Sequence, residues 1–329
     1  MLSPVSRARR RSQNVTLALA CGTALALLGE RTVAVGQQQP VFRASTAAVP
    51  LLVAVTNRAG DPVTDLGVDD FEVFDNDQRA DVVAFERQVA PAALRVLVSQ
   101  TPRMRKDAAR VRELAYALIE QAQPAEPVGI AVGYHPIQNG YGSFSSRKEE
   151  LRADFEAAFQ PVAIEGVLWW LSVLKASDVL NSRPAAVSPD TLWLRPGRPV
   201  WPSGQLPNVR AVVVVTPGME HADRPSSDDY ARQTLLHGTI VYGFAFGGRS
   251  RDKRLVRIAP QTSGWVVEPD KKTNLQAEAT RIWTDLRNRY LLGFVPTAFD
   301  GKEHMLSVKV KRPDVIVRAR AAYLAPKPQ

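Results

Sequence analysis

Four histidines, His135, His221, His237 and His304, are the side chains best suited to proton transfer or metal ligation, and they are scattered along the chain. No two stand at the three- or four-residue spacing that would put a pair of imidazoles on one helix face, so neither a zinc centre nor a general-base centre is indicated, and each histidine is expected at the surface or in a loop. The single cysteine, Cys21, lies near the start, which leaves the rest of the chain without a thiol for a disulfide, a metal or nucleophilic attack. No G-x-S-x-G elbow is present for a serine nucleophile. Gly140-Tyr141-Gly142-Ser143 follows a strand but lacks the lysine and the helix start of a phosphate loop, and is expected to be a flexible loop. Asp75-Asn76-Asp77 offers side-chain oxygens without the distal acid of a calcium loop, and is expected to be a plain turn. No cofactor and no metal are indicated.

Three features could bind rather than react. Adjacent Trp169 and Trp170 point in different directions on a helix. One is expected in the core, and an exposed one would anchor a contact. His221, after Met219-Glu220, could hydrogen-bond a partner. From Lys302 to Gln329, seven cations stand against Glu303 and Asp314, and this alternation is expected to be the wet side of a sheet. The aromatics do not interleave with the cations, so a nucleic-acid partner is not expected.

The elements that must position these residues follow from pattern. The chain has 329 residues, 45% apolar and 23% charged, which suits one large domain or two smaller ones. Its formal net charge of +9 is partly contributed by Arg7, Arg9, Arg10, Arg11 and Arg31 near the start. Those arginines precede and follow an apolar stretch, Val15 to Leu28, with small residues at Ala34-Val35-Gly36. Such a stretch is too short for the roughly 20 residues of a membrane span. It is expected to be a cleaved secretory signal over residues 1–36, with an uncleaved signal anchor to the inner membrane as the alternative. Arg10-Arg11 leaves the export route open between the general secretory and twin-arginine pathways. The mature chain is therefore expected in a periplasm or outside the cell, with no transmembrane segment.

Residues 37–90 carry short strands joined by turns, namely Val49 to Thr56, Phe71 to Phe74 and Val82 to Phe85, and form an N-terminal β module. From 91 to 289, buried runs at Leu94 to Val98, Val128 to Val132, Val209 to Val215 and Thr239 to Phe246 alternate with helical stretches. That alternation indicates a doubly wound, mostly parallel α/β sheet covered on both faces. Within it, residues 181–208 carry six prolines and are expected to form a surface insertion. Residues 290–329 return to a period of two, with strands at Tyr290 to Val295, Met305 to Val310 and Val315 to Ala321. Two or three strands need a partner sheet. The terminal strands are therefore expected to pack on the N-terminal module as a small β-sandwich into which the α/β body is inserted.

Three stretches resemble the VWFA-related domain family of secreted acidobacterial proteins. They are Val41-Phe42-Arg43-Ala44-Ser45-Thr46, then Gly60-Asp61-Pro62-Val63-Thr64-Asp65-Leu66 running to Phe71-Glu72-Val73-Phe74, and Arg289-Tyr290-Leu291-Leu292-Gly293-Phe294 with Val308-Lys309-Val310-Lys311-Arg312-Pro313. The resemblance implies a von Willebrand factor A-type domain, best known for adhesion through a metal-ion-dependent site at the carboxyl ends of the strands.

That family's metal site begins with D-x-S-x-S after the first strand, and here the matching text is Ser99-Gln100-Thr101-Pro102-Arg103. The family threonine before a later helix falls on Val167, and its third-element aspartate on Pro217. Among these five positions one family hydroxyl survives, at Thr101, while Ser99 stands in place of the aspartate and no carboxylate remains. Magnesium leaves its water shell reluctantly and is held largely by carboxylate charge. Arg103 would repel it by about 4 kcal/mol per unit of metal charge at ~4 Å and an effective dielectric of 20. The site is therefore expected to be metal-free. Arg103 could clamp an anion in the metal's stead, or simply point to solvent. The expected function is a non-enzymatic extracytoplasmic binding or scaffold module that holds another protein, an envelope or extracellular component, through Thr101, Arg103, Trp169 and His221. The alternative is an exported hydrolase with its active site at the same sheet edge. Oligomeric state stays open.

Overall fold

The computed structural model describes residues 48–87, 91–99, 101–132, 144–159, 169–181, 209–218, 226–246 and 253–328. The expected signal, residues 1–36, and the body of the proline-rich insertion lie outside these residues.

In chain order the elements are β1 (Val49–Asn57), β2 (Phe71–Asp75), β3 (Gln78–Ala80), β4 (Val82–Arg87), β5 (Ala92–Val98), a 3-10 helix (Pro102–Asp107), α1 (Ala108–Gln121), β6 (Val128–Val132), β7 (Phe144–Ser145), α2 (Lys148–Ala158) and α3 (Trp169–Asn181). They continue as β8 (Val209–Thr216), α4 (Ser226–Leu236), β9 (Ile240–Ala245), α5 (Lys253–Gln261), β10 (Val266–Val267), α6 (Leu275–Arg287), β11 (Arg289–Phe294), β12 (Glu303–Val310), β13 (Val315–Ala319) and β14 (Ala322–Leu324).

Strands β5 to β10 form one six-stranded sheet in the order β10-β9-β8-β5-β6-β7. All pairings are parallel except β6 with β7. Numbered within this sheet the order is 3-2-1-4-5-6, so the winding reverses between β5 and β8. Central strands buried on both faces need side chains that tolerate oil on either side, and β5 and β9 are buried at every residue. One face, including Leu94, Val96, Val213 and Val215, packs with residues of α1, α2 and α6. The other, including Ala93, Leu97, Val212 and Val214, packs with residues of α3, α4 and α5. Helix α6 shows how sequence writes this packing. Asn274 caps it by accepting from Ala277 N–H at 2.9 Å. Leu275, Ala279, Ile282, Trp283 and Leu286 then repeat at helical spacing on the buried side. Trp283 Nε1 donates to Leu118 O at 2.9 Å and docks α6 on α1.

The remaining strands form two four-stranded sheets, β13-β1-β11-β4 and β14-β12-β2-β3. They share one apolar layer that includes Leu51, Val53, Phe71, Val73, Leu292, Phe294 and Tyr323. Both ends of the chain build each sheet, which makes the sandwich expected from the sequence. Asn76 and Asp77 adopt φ of 48° and 63° in the tight turn joining β2 to β3, a conformation Asn and Asp tolerate better than most residues. Tyr290 OH donates to Val63 O at 2.7 Å and accepts from Leu66 N–H at 3.1 Å, pinning the β1–β2 connection to β11.

Three expectations need correction. The expected last strand, Val315 to Ala321, is β13 and ends at Ala319, and it is not the last: β14 follows in the second sheet, the chain changing sheets at Arg320-Ala321. Arg318 and Arg320 are not a wet face, since Arg318 is ion-paired to Asp285 and Arg320 lines a cavity. His304, expected on the surface, is buried on β12. Its Nδ1 lies 2.8 Å from Asp75 Oδ1, and its Nε2 3.2 Å from Asp300 Oδ1. Among the described residues no helix is long and apolar enough to cross a membrane.

Candidate functional site

In an open α/β sheet, ligands sit beyond the carboxyl ends of the strands, where the winding direction reverses. Here that point lies between β5 and β8, whose last residues Val98 and Val215 are register partners. Beyond Val98 the backbone keeps one more sheet bond, Ser99 N–H to Val215 O at 2.9 Å, which brings Ser99 beside the β8 tip. Ser99 Oγ lies 3.4 Å from Thr101 Oγ1, and both residues are buried. Thr101 is extended, with φ −63° and ψ 156°, and it starts the 3-10 helix with Pro102 next. Proline suits a first helical position because it has no N–H to satisfy. Buried Met104, whose N–H donates to Thr101 O at 2.9 Å, fixes the turn from below. Arg103 therefore projects on the exposed side of this turn, together with Arg105 and Lys106.

At the β8 tip, Thr216, Pro217 and Gly218 are all buried. Thr216 Oγ1 donates to Gly218 O at 3.0 Å and receives Gly218 N–H at 3.3 Å. Gly218 has φ of +103°, and only glycine adopts such a turn without a Cβ penalty. Thr216 O in turn accepts from Phe246 N–H at 2.7 Å, tying the tips of β8 and β9 together.

The structure thus brings Ser99, Thr101 and Pro217 to adjacent strand tips and sets Arg103 on the same rim. Trp169 opens α3, and its neighbour Trp170 is buried in the core layer that also holds Leu97 and Val214. Val167 and His221 lie outside the described residues, as do His135 and the Gly140–Ser143 loop.

Sequence reading passed over two polar groups in this region. Thr216 adds a third buried hydroxyl, signalled only by its place at the end of the valine run. Asp107 closes the 3-10 helix, and its Oδ2 is shut off from solvent with no hydrogen-bond partner. No group of three His, Cys, Asp or Glu able to hold a metal occurs among the described residues. Neutral hydroxyls can complete the shell of a hard divalent cation, but anionic oxygens supply most of its binding energy. The residues at these strand tips do not fit magnesium. What they can do is donate and accept neutral hydrogen bonds beneath a cationic rim.

A second polar cluster joins the α/β body to the sandwich. Arg289, the first residue of β11, is fully buried and ion-paired to Asp285 of α6, while its Nη1 donates to Ser263 Oγ at 2.7 Å. Tyr242 OH also donates to Asp285. Burial, then the charge of Asp285, pushes the Tyr242 hydroxyl far above its usual pKa, so it stays a donor.

No protein-family model and no curated protein sequence matches the chain. Among solved structures it is similar to the von Willebrand factor type A protein from Catenulispora acidiphila, at 10% identity and a TM-score of 0.46, covering 86% of this chain and 75% of that one. An aerotolerance-related membrane protein from Bacteroides fragilis matches at 14% identity and a TM-score of 0.43, covering 60% of this chain and 98% of that one. Manganese-loaded TRAP protein from Plasmodium vivax matches at 11% and 0.38, covering 75% and 100%. The fold class expected from the sequence, a doubly wound and mostly parallel α/β sheet flanked by a β-sandwich of terminal strands, is the fold observed.

Proposed function

We propose that this chain is an exported, non-enzymatic binding or scaffold module of the VWFA-related type, which holds another protein at the carboxyl edge of its parallel sheet without a metal ion. The observation that carries the reading is the chemistry of the strand tips. Ser99, Thr101 and Pro217 stand at the β5 and β8 ends, where the family pattern would place an aspartate, a serine and an aspartate, and Arg103 puts a cation on the rim. Recognition then falls to side chains, with the Arg103 guanidinium clamping a carboxylate of the partner. Export is supported by the charged and apolar pattern of residues 1–36.

Calorimetric titration of the mature protein with magnesium, manganese and calcium tests the metal-free part, and the expected result is no binding tighter than micromolar. Affinity capture from the organism's own envelope extract, with wild type beside Arg103→Ala, tests the rest. A partner retained by wild type and lost by the variant supports the reading, whereas equal retention by both removes Arg103 from it.

A further inference from the structure

At the opposite, amino-terminal end of the parallel sheet, a cavity of about 150 Å³ opens where the α/β body meets the sandwich. Its lining includes Pro50, Arg210, Gly238, Ser263, Arg289 and Arg320. At ~15 Å³ of such volume per water molecule, it has room for a small polyatomic anion with its hydration.

Three arginines line it, and among the described residues only Arg289 has an ion-pair partner. Arg289 is ion-paired to Asp285. Arg210, the second residue of β8, has a buried Nε with no hydrogen-bond partner. Arg320, just past β13, donates from Nη2 to Pro50 O at 2.8 Å, and its Nε is likewise buried without a partner. Of the carboxylates near other lining residues, Asp178 is held by His237 and Lys175, and Asp285 by Arg289 and Arg318. Gly238 makes the arrangement possible: it has φ of +70°, and a Cβ there would lie 2.8 Å from Arg320 Nη1. Burial, with a further contribution from the charge of Arg210, holds Arg320 down to about 10. Burial likewise lowers Arg210. Two partly desolvated cations that line one cavity, with no counter-ion among the described residues, are costly to keep unless an anion joins them.

We propose that Arg210 and Arg320 form a receptor for a dianionic oxyanion of the phosphate class, either as the free ion or as the phosphomonoester of a larger ligand. A charge near −2 at neutral pH balances the two unpaired guanidiniums, and each planar fork can donate two bonds to tetrahedral oxygens. Because Arg210 belongs to β8 and Arg320 follows β13, the bound anion fastens the α/β body to the sandwich. This site is separate from the strand-tip rim and stands whether or not the rim binds a protein.

The test is thermal unfolding of the mature protein at constant ionic strength in chloride, acetate, inorganic phosphate and glycerol phosphate. At tenfold over its dissociation constant, inorganic phosphate is expected to raise Tm by about 3 °C relative to chloride and acetate. A larger shift with glycerol phosphate would assign the site to a phosphomonoester ligand; equal shifts would assign it to the phosphate group itself. Arg210→Gln and Arg320→Gln should each weaken the phosphate effect at least tenfold in concentration, while Lys309→Gln, which removes an exposed cation elsewhere, should leave it unchanged. In phosphate-free buffer Arg210→Gln should unfold no lower than wild type, because it removes a buried charge that lacks a partner. Should Arg320→Gln fail to fold, Arg210→Lys serves in its place, keeping the charge and losing the fork. Equal Tm in all four anions, or a phosphate shift that survives Arg210→Gln, would overturn the proposal.

Discussion

Arg318 on β13 donates from Nη2 to Asp285 Oδ1 at 2.5 Å, and through this bond the sandwich holds the last helix of the α/β body. The other oxygen of the same carboxylate serves Arg289 and Tyr242. The two arginines are not equivalent, since the Arg289 side chain is 0% exposed and that of Arg318 is 22% exposed.

Removing the shared carboxylate should therefore be far worse than removing the outer arginine. Asp285→Ala leaves Arg289 as a buried, unpaired cation and is expected to cost about 3–5 kcal/mol. Arg318→Ala leaves Asp285 its other partners and is expected to cost about 1–2 kcal/mol. Urea denaturation of the two single variants and the double variant measures this, and costs that simply add would contradict a shared network.

Acid should act through Asp75. Burial pushes this carboxyl up, but hydrogen bonds from Thr297 N–H and Oγ1, from Tyr323 and from His304 outweigh it and leave Asp75 below its usual pKa. A carboxylate depressed in the folded state adds stability that is present above its unfolded pKa of about 3.9 and is lost as pH falls through the folded value. The urea midpoint should hold down to about pH 5 and then fall. Asp75→Asn should lower the midpoint near neutrality and flatten the acid limb, and an acid limb as steep as that of wild type would count against this assignment.

Gly264 sits where a side chain has no room. A Cβ there would fall 2.0 Å from the Val241 carbonyl oxygen, a backbone atom of a central strand that cannot step aside. Gly264→Ala should cost more than about 3 kcal/mol, beyond an ordinary overpacking penalty. Gly67→Ala, where the nearest atom is the end of the Asp70 side chain at 3.9 Å, should cost little by the same measurement.

If lost carboxylates are what denies the strand tips a cation, restoring them should create binding. Ser99→Asp with Pro217→Asp and Arg103→Ser places two carboxylates around Thr101 and exchanges the Ser99 hydroxyl for one at position 103. Manganese titration of the triple variant should give measurable heat where wild type gives none. A folded triple variant that still ignores manganese would show that tip geometry, rather than charge, forbids the ion.

The α/β class was legible because the valine run of β8 and the apolar runs of β5 and β9 can only be strands buried on both faces. The strand tips were legible for the same reason: Ser99, Thr101 and Pro217 stand where those runs stop. What stayed hidden was the pairing of isolated polar residues over long separations. Arg95 interrupts β5 as though it were an error of pattern, yet it is fully buried with its guanidinium 4.3 Å from the Phe144 ring centroid. Gly129 on the neighbouring strand makes the space, since a Cβ there would meet Arg95 Cζ at 2.9 Å. Nothing local links these three positions. Arg289 and Asp285 do stand four residues apart, but the helix ends between them, so helical spacing gave no reason to pair them. β14 was missed because three residues are too few for a period, and no glycine or proline marks the change of sheet at Arg320-Ala321. His304 looked like a loop residue because the Asp75 it meets is 229 positions away.

The first strand finds both of its neighbours, β11 and β13, only beyond residue 288, whereas the six-stranded sheet needs nothing outside residues 92–267. During refolding, amides of β5 and β8 should accordingly be shielded from exchange before those of β1, which must wait for a loop of about 230 residues to close. While it waits, β1 is an unsatisfied edge with a largely apolar sequence. The interval between emergence and completion is then the time when this chain is most open to wrong pairing with its own copies.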